Sequence, residues 1–444
     1  MQIDHRTRYR TAHTGPSVVS GRIAILLTDL NGGGVQKVMN VLARAFADRG
    51  HEVDLLVCRK VGALVDLVDP RLRVVELATV HPLAGRLRAV RADPKGLTHL
   101  WRYLLTSPGR GTRTIGALPA LADHLAKERP AVLMSTDPFL NVESVLARRL
   151  AGTDTRIVMT ERTHFSSGKG RKVWRARKLS AAMSYAYRQA DAIHAVSHGV
   201  ADDIARTFDL DRSTIRVIHN PTIGPDFQER AAAPADHPWF TDRPASRAPL
   251  VVAVGRPTEQ KDFPTLVRAF AMVRARRPVR LAIVGDVGHG KRRRPVDRLE
   301  ALARELGVAD DLAFLGWTAN PLPYVGGADL LCLSSMWEGL PNVLLEALAC
   351  GTPIVSTDCP SGPREILDGG RFGRLVPVCD PEAMAEAINA TLDDPPARER
   401  LLARAADFDF TTSIDRYLDM LLPGRTEVRP HHEVCGHDRI AAAS

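Results

Sequence analysis

The feature that most constrains this chain is a twice-repeated alternation of short Val-, Ile- and Leu-rich runs with helical stretches. The first series predicts strands at Arg22–Leu27, Glu52–Val57, Ala131–Met134, Arg156–Thr160, Ala192–Ala195 and Ile215–Ile218, with a helix at Gly34–Asp48. Runs of four to six such residues between helices belong to parallel sheets buried on both faces. His219–Pro249, rich in Pro, Ala and Asp, interrupts the rhythm and reads as a boundary. The second series predicts strands at Leu250–Val254, Arg280–Val284, Leu312–Leu315, Asp329–Leu333 and Pro353–Ser356. It predicts helices at Phe263–Arg276, Pro295–Leu306, Pro341–Ala349 and Pro381–Leu392.

A chain of 444 residues exceeds the size at which one core stops growing, so two α/β domains are expected. Their bounds are 21–222 and 223–410. A polar tail precedes them at 1–20, a helix near 411–422 is free to pack on either half, and 424–444 reads as disordered. Residues 61–116 carry no placeable pattern. Two such modules leave a cleft between strand C-terminal ends, where α/β proteins hold ligands.

Composition narrows the class further. The 60 basic and 51 acidic residues give +9, a surplus that suits an anionic ligand, a nucleic acid or an anionic membrane. Six cysteines form no C-x-x-C pair, which fits a reducing cytoplasm. The basic N-terminus has no long apolar run behind it and no segment reaches about 18 apolar residues, so any membrane contact is expected to be peripheral. The run Lys169, Arg171, Lys172, Arg175, Arg177 and Lys178, interrupted by Trp174, reads as a solvated helix face or a headgroup contact. No nucleic-acid module is recognisable.

The densest segment is Ser334–Glu346, which follows a strand and opens a helix at Pro341. The amides of Gly339, Leu340, Asn342 and Val343 should be free there, forming an anion site. Glu338 and Glu346 can line one wall of a pocket, and a carboxylate accepts two hydrogen bonds from a diol. Alone, two glutamates eight apart also fit plain helix chemistry.

They are not alone. Phe314-Leu315-Gly316-Trp317, Ala328-Asp329, Glu338–Glu346 and the following Ala347–Val355 together resemble the large retaining glycosyltransferase family with the GT-B fold, often called family 4 or group 1. The resemblance implies two Rossmann-like domains facing each other across a cleft, the N-terminal one for the acceptor and the C-terminal one for the donor. It implies transfer of a hexosyl or N-acetylhexosaminyl group from a nucleotide diphosphate sugar, UDP by family frequency, with retention. No cofactor or metal is expected, and the acceptor is a glycan, lipid-linked or other hydroxyl in cell-surface polysaccharide synthesis. The alternative is a non-catalytic nucleotide-sugar binder on the same scaffold, against which the intact Glu338, Glu346, Arg256 and Lys261 argue.

Other segments fill in the site. Gly255–Lys261 leaves the first strand of the second series, and its Arg256 and Lys261 suit a diphosphate. In the resembled family these positions neutralise the leaving group. Catalytic weight falls on Glu338, Arg256 and Lys261, and Trp317 joins the donor-binding set. The run Asp29–Lys37 follows the first strand, and its Gly33 and Gly34 let amides approach a donor. For the acceptor, Asp137 stands where many relatives carry a histidine, and Thr160–His164 resembles a loop of some members, with His164 a candidate contact. Three patterns are set aside: the near P-loop Gly285–Arg292, in which Arg292 stands where Ser or Thr would ligate Mg²⁺; the D-x-D at Asp407–Asp409; and the His431, His432, Cys435, His437 cluster.

Overall fold

A computed structural model describes residues 21–106, 110–167, 171–241, 247–288 and 293–424. The expected tails (1–20 and 425–444), the histidine cluster within the second, and His289 to Arg292 lie outside the described residues. So do Lys169 and the side chains of Arg171, Lys172, Arg175, Arg177 and Lys178.

Seven parallel strands form the first sheet: β1 (Ile23–Leu27), β2 (Val53–Val57), β3 (Arg73–Glu76), β4 (Val132–Ser135), β5 (Arg156–Glu161), β6 (Ala192–Ala195) and β7 (Ile215–Val217). Their order is β3-β2-β1-β4-β5-β6-β7. The second sheet holds β8 (Leu250–Val254), β9 (Arg280–Val284), β10 (Leu312–Gly316), β11 (Leu330–Leu333), β12 (Ile354–Thr357) and β13 (Arg374–Val376), in the order β10-β9-β8-β11-β12-β13. Every residue of β1, β2, β4, β11 and β12 is buried, which is why they read as continuous apolar runs. In each sheet the order reverses beside the first strand, between β1 and β4 and between β8 and β11. Ligands of open α/β sheets sit outside the strand ends at such a point.

The expected strands appear within one or two residues of their predicted limits. Two edge strands, β3 and β13, carry no such run: β3 has exposed Arg73 and Glu76 around half-buried Val74 and Val75, and β13 has three residues only. The unplaced stretch contains three helices, α2 (Pro82–Ala92), α3 (Leu97–Thr106) and α4 (Arg110–Glu128), after the first helix α1 (Gly34–Asp48). Pro119 lies inside α4, and this breaker hides the helix from pattern reading. Two more helices, α5 (Pro138–Ala151) and α6 (Arg171–Tyr187), follow on the same half. The connection between the sheets is not bare loop, since it holds short helices at Phe227–Ala232 and Pro238–Thr241.

The helix Phe410–Leu421 packs against the first sheet although the second sheet precedes it in sequence. Its Ile414, Tyr417, Met420 and Leu421 join the core of β1, β2 and α1. The Tyr417 hydroxyl receives a hydrogen bond from Arg162 and pairs with His194 Nε2 at 3.1 Å. Burial, and then the nearby Arg162 cation, push His194 down to about 3, so the ring is neutral.

A second buried ionisable group sets a pH dependence. Glu143 on α5 is 1% exposed and accepts from the Tyr103 hydroxyl at 2.7 Å. Burial raises its carboxyl from 4.5 to about 8, and the charge of Asp137 adds to that rise. A carboxyl with a raised folded-state pKa binds its proton more tightly when folded. Its contribution to stability is therefore full below about 4.5 and is lost as pH climbs towards about 8. Glu143→Gln should raise the melting temperature at pH 8 by a few degrees and leave it nearly unchanged at pH 4, measured by calorimetry.

Candidate functional site

Loops at the four switch-point strand ends face one cleft. After β8 the chain turns through Gly255 and Arg256 into a short turn of helix at Glu259–Lys261. Gly285, at the end of β9, lies so close that a Cβ there would meet the Gly255 carbonyl oxygen at 1.9 Å. After β11, residues Ser334–Leu340 run to the helix Asn342–Cys350. These loops are stitched together: Met336 N donates to Gln260 O (2.8 Å), Gln260 Nε2 to Trp337 O (2.9 Å), and Ser334 Oγ to Lys261 O (2.7 Å).

At the centre, Lys261 Nζ donates to Glu338 Oε1 at 2.6 Å, and Ser335 Oγ donates to the same oxygen at 2.7 Å. Glu338 is buried, so its charge is compensated where it is desolvated. The helix begins at Asn342, with Pro341 as its cap rather than its first residue, one position later than the sequence suggested. The N–H groups of Gly339, Leu340, Asn342 and Val343 have no hydrogen-bond partner among the described residues. Free donors at a helix start next to a lysine and an arginine attract an anion. Glu346 is the fifth residue of this helix. Burial raises its carboxyl, opposed by the charges of Lys37 and Arg230.

The first sheet supplies the opposite wall. Lys37 on α1 reaches across to the Thr318 and Ala319 carbonyl oxygens (3.5 and 3.4 Å) and lies 5.8 Å from the Trp317 ring centroid. Burial lowers its pKa, while Glu346 acts in the other direction. In the glycine run the close contact falls at Gly32, where a Cβ would meet Trp317 Nε1 at 2.6 Å. Gly34 has open space around it, and a Cβ on Gly33 would meet only the flexible end of Gln36. All eleven residues expected on the donor side line a single cavity of about 300 Å³: Gly33, Gly34, Arg256, Lys261, Trp317, Glu338, Gly339, Leu340, Asn342, Val343 and Glu346.

An adjoining cavity of about 530 Å³ opens toward the first sheet and contains Asp137 and His164, with Gly33 and Arg256 shared. Asp137 caps α5 by accepting from Phe139 N at 3.0 Å. His164 Nδ1 bonds Ser167 Oγ at 2.7 Å and lies 3.5 Å from Asp203, and burial lowers the ring's pKa. Glu161 also faces this cavity. Asn141 Nδ2 donates to it at 2.7 Å and the Tyr187 hydroxyl donates too, and burial raises its carboxyl to about 8.

Sequence reasoning does not single out Glu161, Lys37 or Arg162. Each sits within a loop or helix start that the motifs already mark, so proximity to the strand ends was the available signal. The D-x-D stretch is structural: Asp407 pairs with Arg404, Phe408 is buried, and Asp409 caps the last helix. Among the described residues no three His, Cys, Asp or Glu side chains converge as a metal site, and no helix is long and apolar enough to cross a membrane.

Comparison with known proteins follows the two sheets. Residues 32–222 match the family model for Glycosyltransferase Family 4, and residues 248–394 match that for Glycosyl transferases group 1. The chain belongs to the GT-B glycosyltransferases. Among curated relatives, the Campylobacter jejuni N-acetylgalactosamine-N,N'-diacetylbacillosaminyl-diphospho-undecaprenol 4-alpha-N-acetylgalactosaminyltransferase is 28% identical over 277 residues, covering 61% of this chain and 71% of the relative. The lipopolysaccharide core biosynthesis glycosyltransferase LpsE of Rhizobium meliloti is 35% identical over 245 residues, covering 54% of this chain and 66% of LpsE. The solved structure of Anabaena HepE in complex with UDP-glucose aligns with a TM-score of 0.71 at 19% identity, over 90% of this chain and 99% of HepE. That likeness establishes the fold.

In this glycosyltransferase the two halves meet on the backbone of Glu338 and Gly339. His164 N donates to Glu338 O at 3.1 Å, and Ser197 Oγ donates to Gly339 O at 2.8 Å. A Cβ on Gly339 would lie 2.1 Å from the Arg162 carbonyl oxygen. Gly339→Ala should therefore push the halves apart. Faster hydrogen exchange at the Thr163 and His164 amides, with little change in helix content by circular dichroism, is the expected result.

Proposed function

We propose that this enzyme moves a hexosyl or N-acetylhexosaminyl group from a UDP-sugar, with retention and without a required metal, to a hydroxyl of a glycan or lipid-linked acceptor in cell-surface polysaccharide synthesis. Residues 21–222, with the last helix, form the acceptor half, and 223–410 the donor half. The observation that carries this reading is the Lys261–Glu338 pair at 2.6 Å beside Arg256 and the free amides of the helix Asn342–Cys350, all in one cavity. The relatives' activities, lipopolysaccharide core synthesis and transfer to an undecaprenol-linked acceptor, support the acceptor class.

In this scheme Arg256, Lys261 and the free amides receive the diphosphate, where negative charge grows as the sugar C1–O bond breaks. Glu346 accepts from the ribose hydroxyls and Glu338 from the sugar. Glu338 also holds Lys261 in place, and an ammonium with three donors can keep that bond while meeting a phosphate. The departing phosphate oxygen takes the proton of the incoming hydroxyl on the same face, so the new C1–O bond retains configuration. Asp137 and His164 orient the acceptor from the neighbouring cavity. The enzyme works at the cytoplasmic face of a membrane, with the Lys169–Lys178 run contributing charge.

Arg256→Ala and Lys261→Ala should each lower kcat about a hundredfold, the usual size for losing one donor to a developing oxyanion. Glu346→Ala should weaken UDP binding about tenfold in calorimetry, whereas Glu338→Ala should act mainly on kcat. Activity should persist in excess chelator. Unchanged UDP affinity in Glu346→Ala, or activity lost to chelator and restored by Mn²⁺, would overturn the respective assignments.

A further inference from the structure

Two consecutive helices that line neither the donor-side nor the adjoining cavity are amphipathic in the wrong sense for a soluble surface. Helix α2 buries its small residues Gly85 and Ala89 and turns Leu83, Leu87 and Val90 outward. Gly85 fits against α4 so closely that a Cβ would meet the Ile115 carbonyl oxygen at 2.1 Å. The helix is thus held with its large apolar side facing solvent. Helix α3 buries Leu100, Tyr103 and Leu104 and exposes Leu97, Trp101 and Leu105 at helical spacing. Exposure reaches 64% at Leu87, 45% at Trp101 and 70% at Leu105. Both helices lie over the layer formed by α4, α5 and α6, and His99 of α3 stacks on Tyr185 of α6 at 4.9 Å.

Charge decides what such a face meets. Residues 82–106 contain Arg86, Arg88, Arg91, Lys95 and Arg102 but one acid, Asp93. Asp93 is 2% exposed and already bonded to Arg149 at 2.6 Å. Arg88, Arg91, Lys95 and Arg102 are exposed, and Arg86, Arg88, Arg91 and Lys95 make no ion pair among the described residues. Five basic residues against one acid that is already paired call for a partner dense in negative charge, which an anionic bilayer offers over its whole surface. An apolar stripe of Leu and Trp flanked by unneutralised arginines is the composition of a helix lying in a bilayer interface, its arginines reaching the headgroups.

We infer that α2 and α3 form a docking surface for an anionic lipid bilayer, with Leu83, Leu87, Trp101 and Leu105 entering the interface. This surface is separate from the transfer reaction, so vesicles lacking any isoprenoid-linked acceptor test it alone. The full chain should co-sediment with phosphatidylcholine vesicles containing phosphatidylglycerol and bind pure phosphatidylcholine far less. Leu87→Glu with Trp101→Glu, and separately Arg88→Glu with Arg91→Glu, should weaken binding about tenfold or more while melting temperature and UDP affinity stay as in the parent. Brominated lipid should quench part of the tryptophan emission, a part missing in Trp101→Phe. Three results would overturn the inference. One is no binding to anionic vesicles at low salt. Another is binding lost only when the Lys169–Lys178 charges are reversed. The third is a dimer in solution that Leu87→Glu with Trp101→Glu dissociates, since a second copy would then cover the face.

Discussion

Two short stretches of backbone, Glu338-Gly339 on one half and Arg162–His164 on the other, approach as closely as peptide groups can. The missing Cβ at Gly339 permits it, and hydrogen bonds to the Glu338 and Gly339 carbonyls fix it. Much of the cleft follows from that contact. It sets the separation of the two sheets, and with it the distance at which Lys37 reaches the Thr318 carbonyl and Gly32 meets Trp317. It also leaves the carbonyls of Glu338 and Gly339 engaged while the amides beyond them stay open, so the helix start presents donors alone to an incoming ligand.

Glu338 shows how one residue serves packing and chemistry together. Its backbone oxygen belongs to the contact between halves, and its carboxylate is held by Lys261 and Ser335. A buried ion pair stabilises little by itself, because desolvation offsets attraction, but losing one partner leaves the other charge stranded. Lys261 and Glu338 therefore hold each other in position. Glu346 sits in a different electrostatic setting, with burial raising its carboxyl and Lys37 opposing. Two glutamates eight residues apart thus differ in character because only one has a cation within bonding distance.

The sequence made the sheets legible because both are parallel and their inner strands are buried on both faces, which leaves uninterrupted apolar runs. Short exposed edge strands such as Arg73–Glu76 obey no such rule, and Pro119 masks a long helix. The residues expected on the donor side could be grouped from sequence, and they line one cavity, because they lie on loops that follow strands. The finer geometry was not legible: that Gly32 rather than Gly34 needs to be small depends on Trp317, 285 positions away in the chain. Glu161 and Lys37 lie in segments the motifs mark, but which side chains of those segments face the cavities is set by the tertiary arrangement. The exposed stripes of α2 and α3 were hidden for the opposite reason, since a helix that shows its apolar face to water looks, in sequence, like one that buries it.

The return of the last helix to the first sheet has a consequence for how such enzymes recombine. Tyr417, Met420 and Leu421 complete a core begun by Ile23 and Ile25, so the first half is not a contiguous stretch of chain. Exchanging it with a relative's counterpart requires two junctions, one between Val217 and Leu250 and another before Phe410. A single-junction chimera would pair the sheet of one parent with the closing helix of another and leave a mismatched seam around Tyr417. Evolution by simple tail-to-tail fusion is restricted by the same geometry, while substitution of loops at the strand ends remains open.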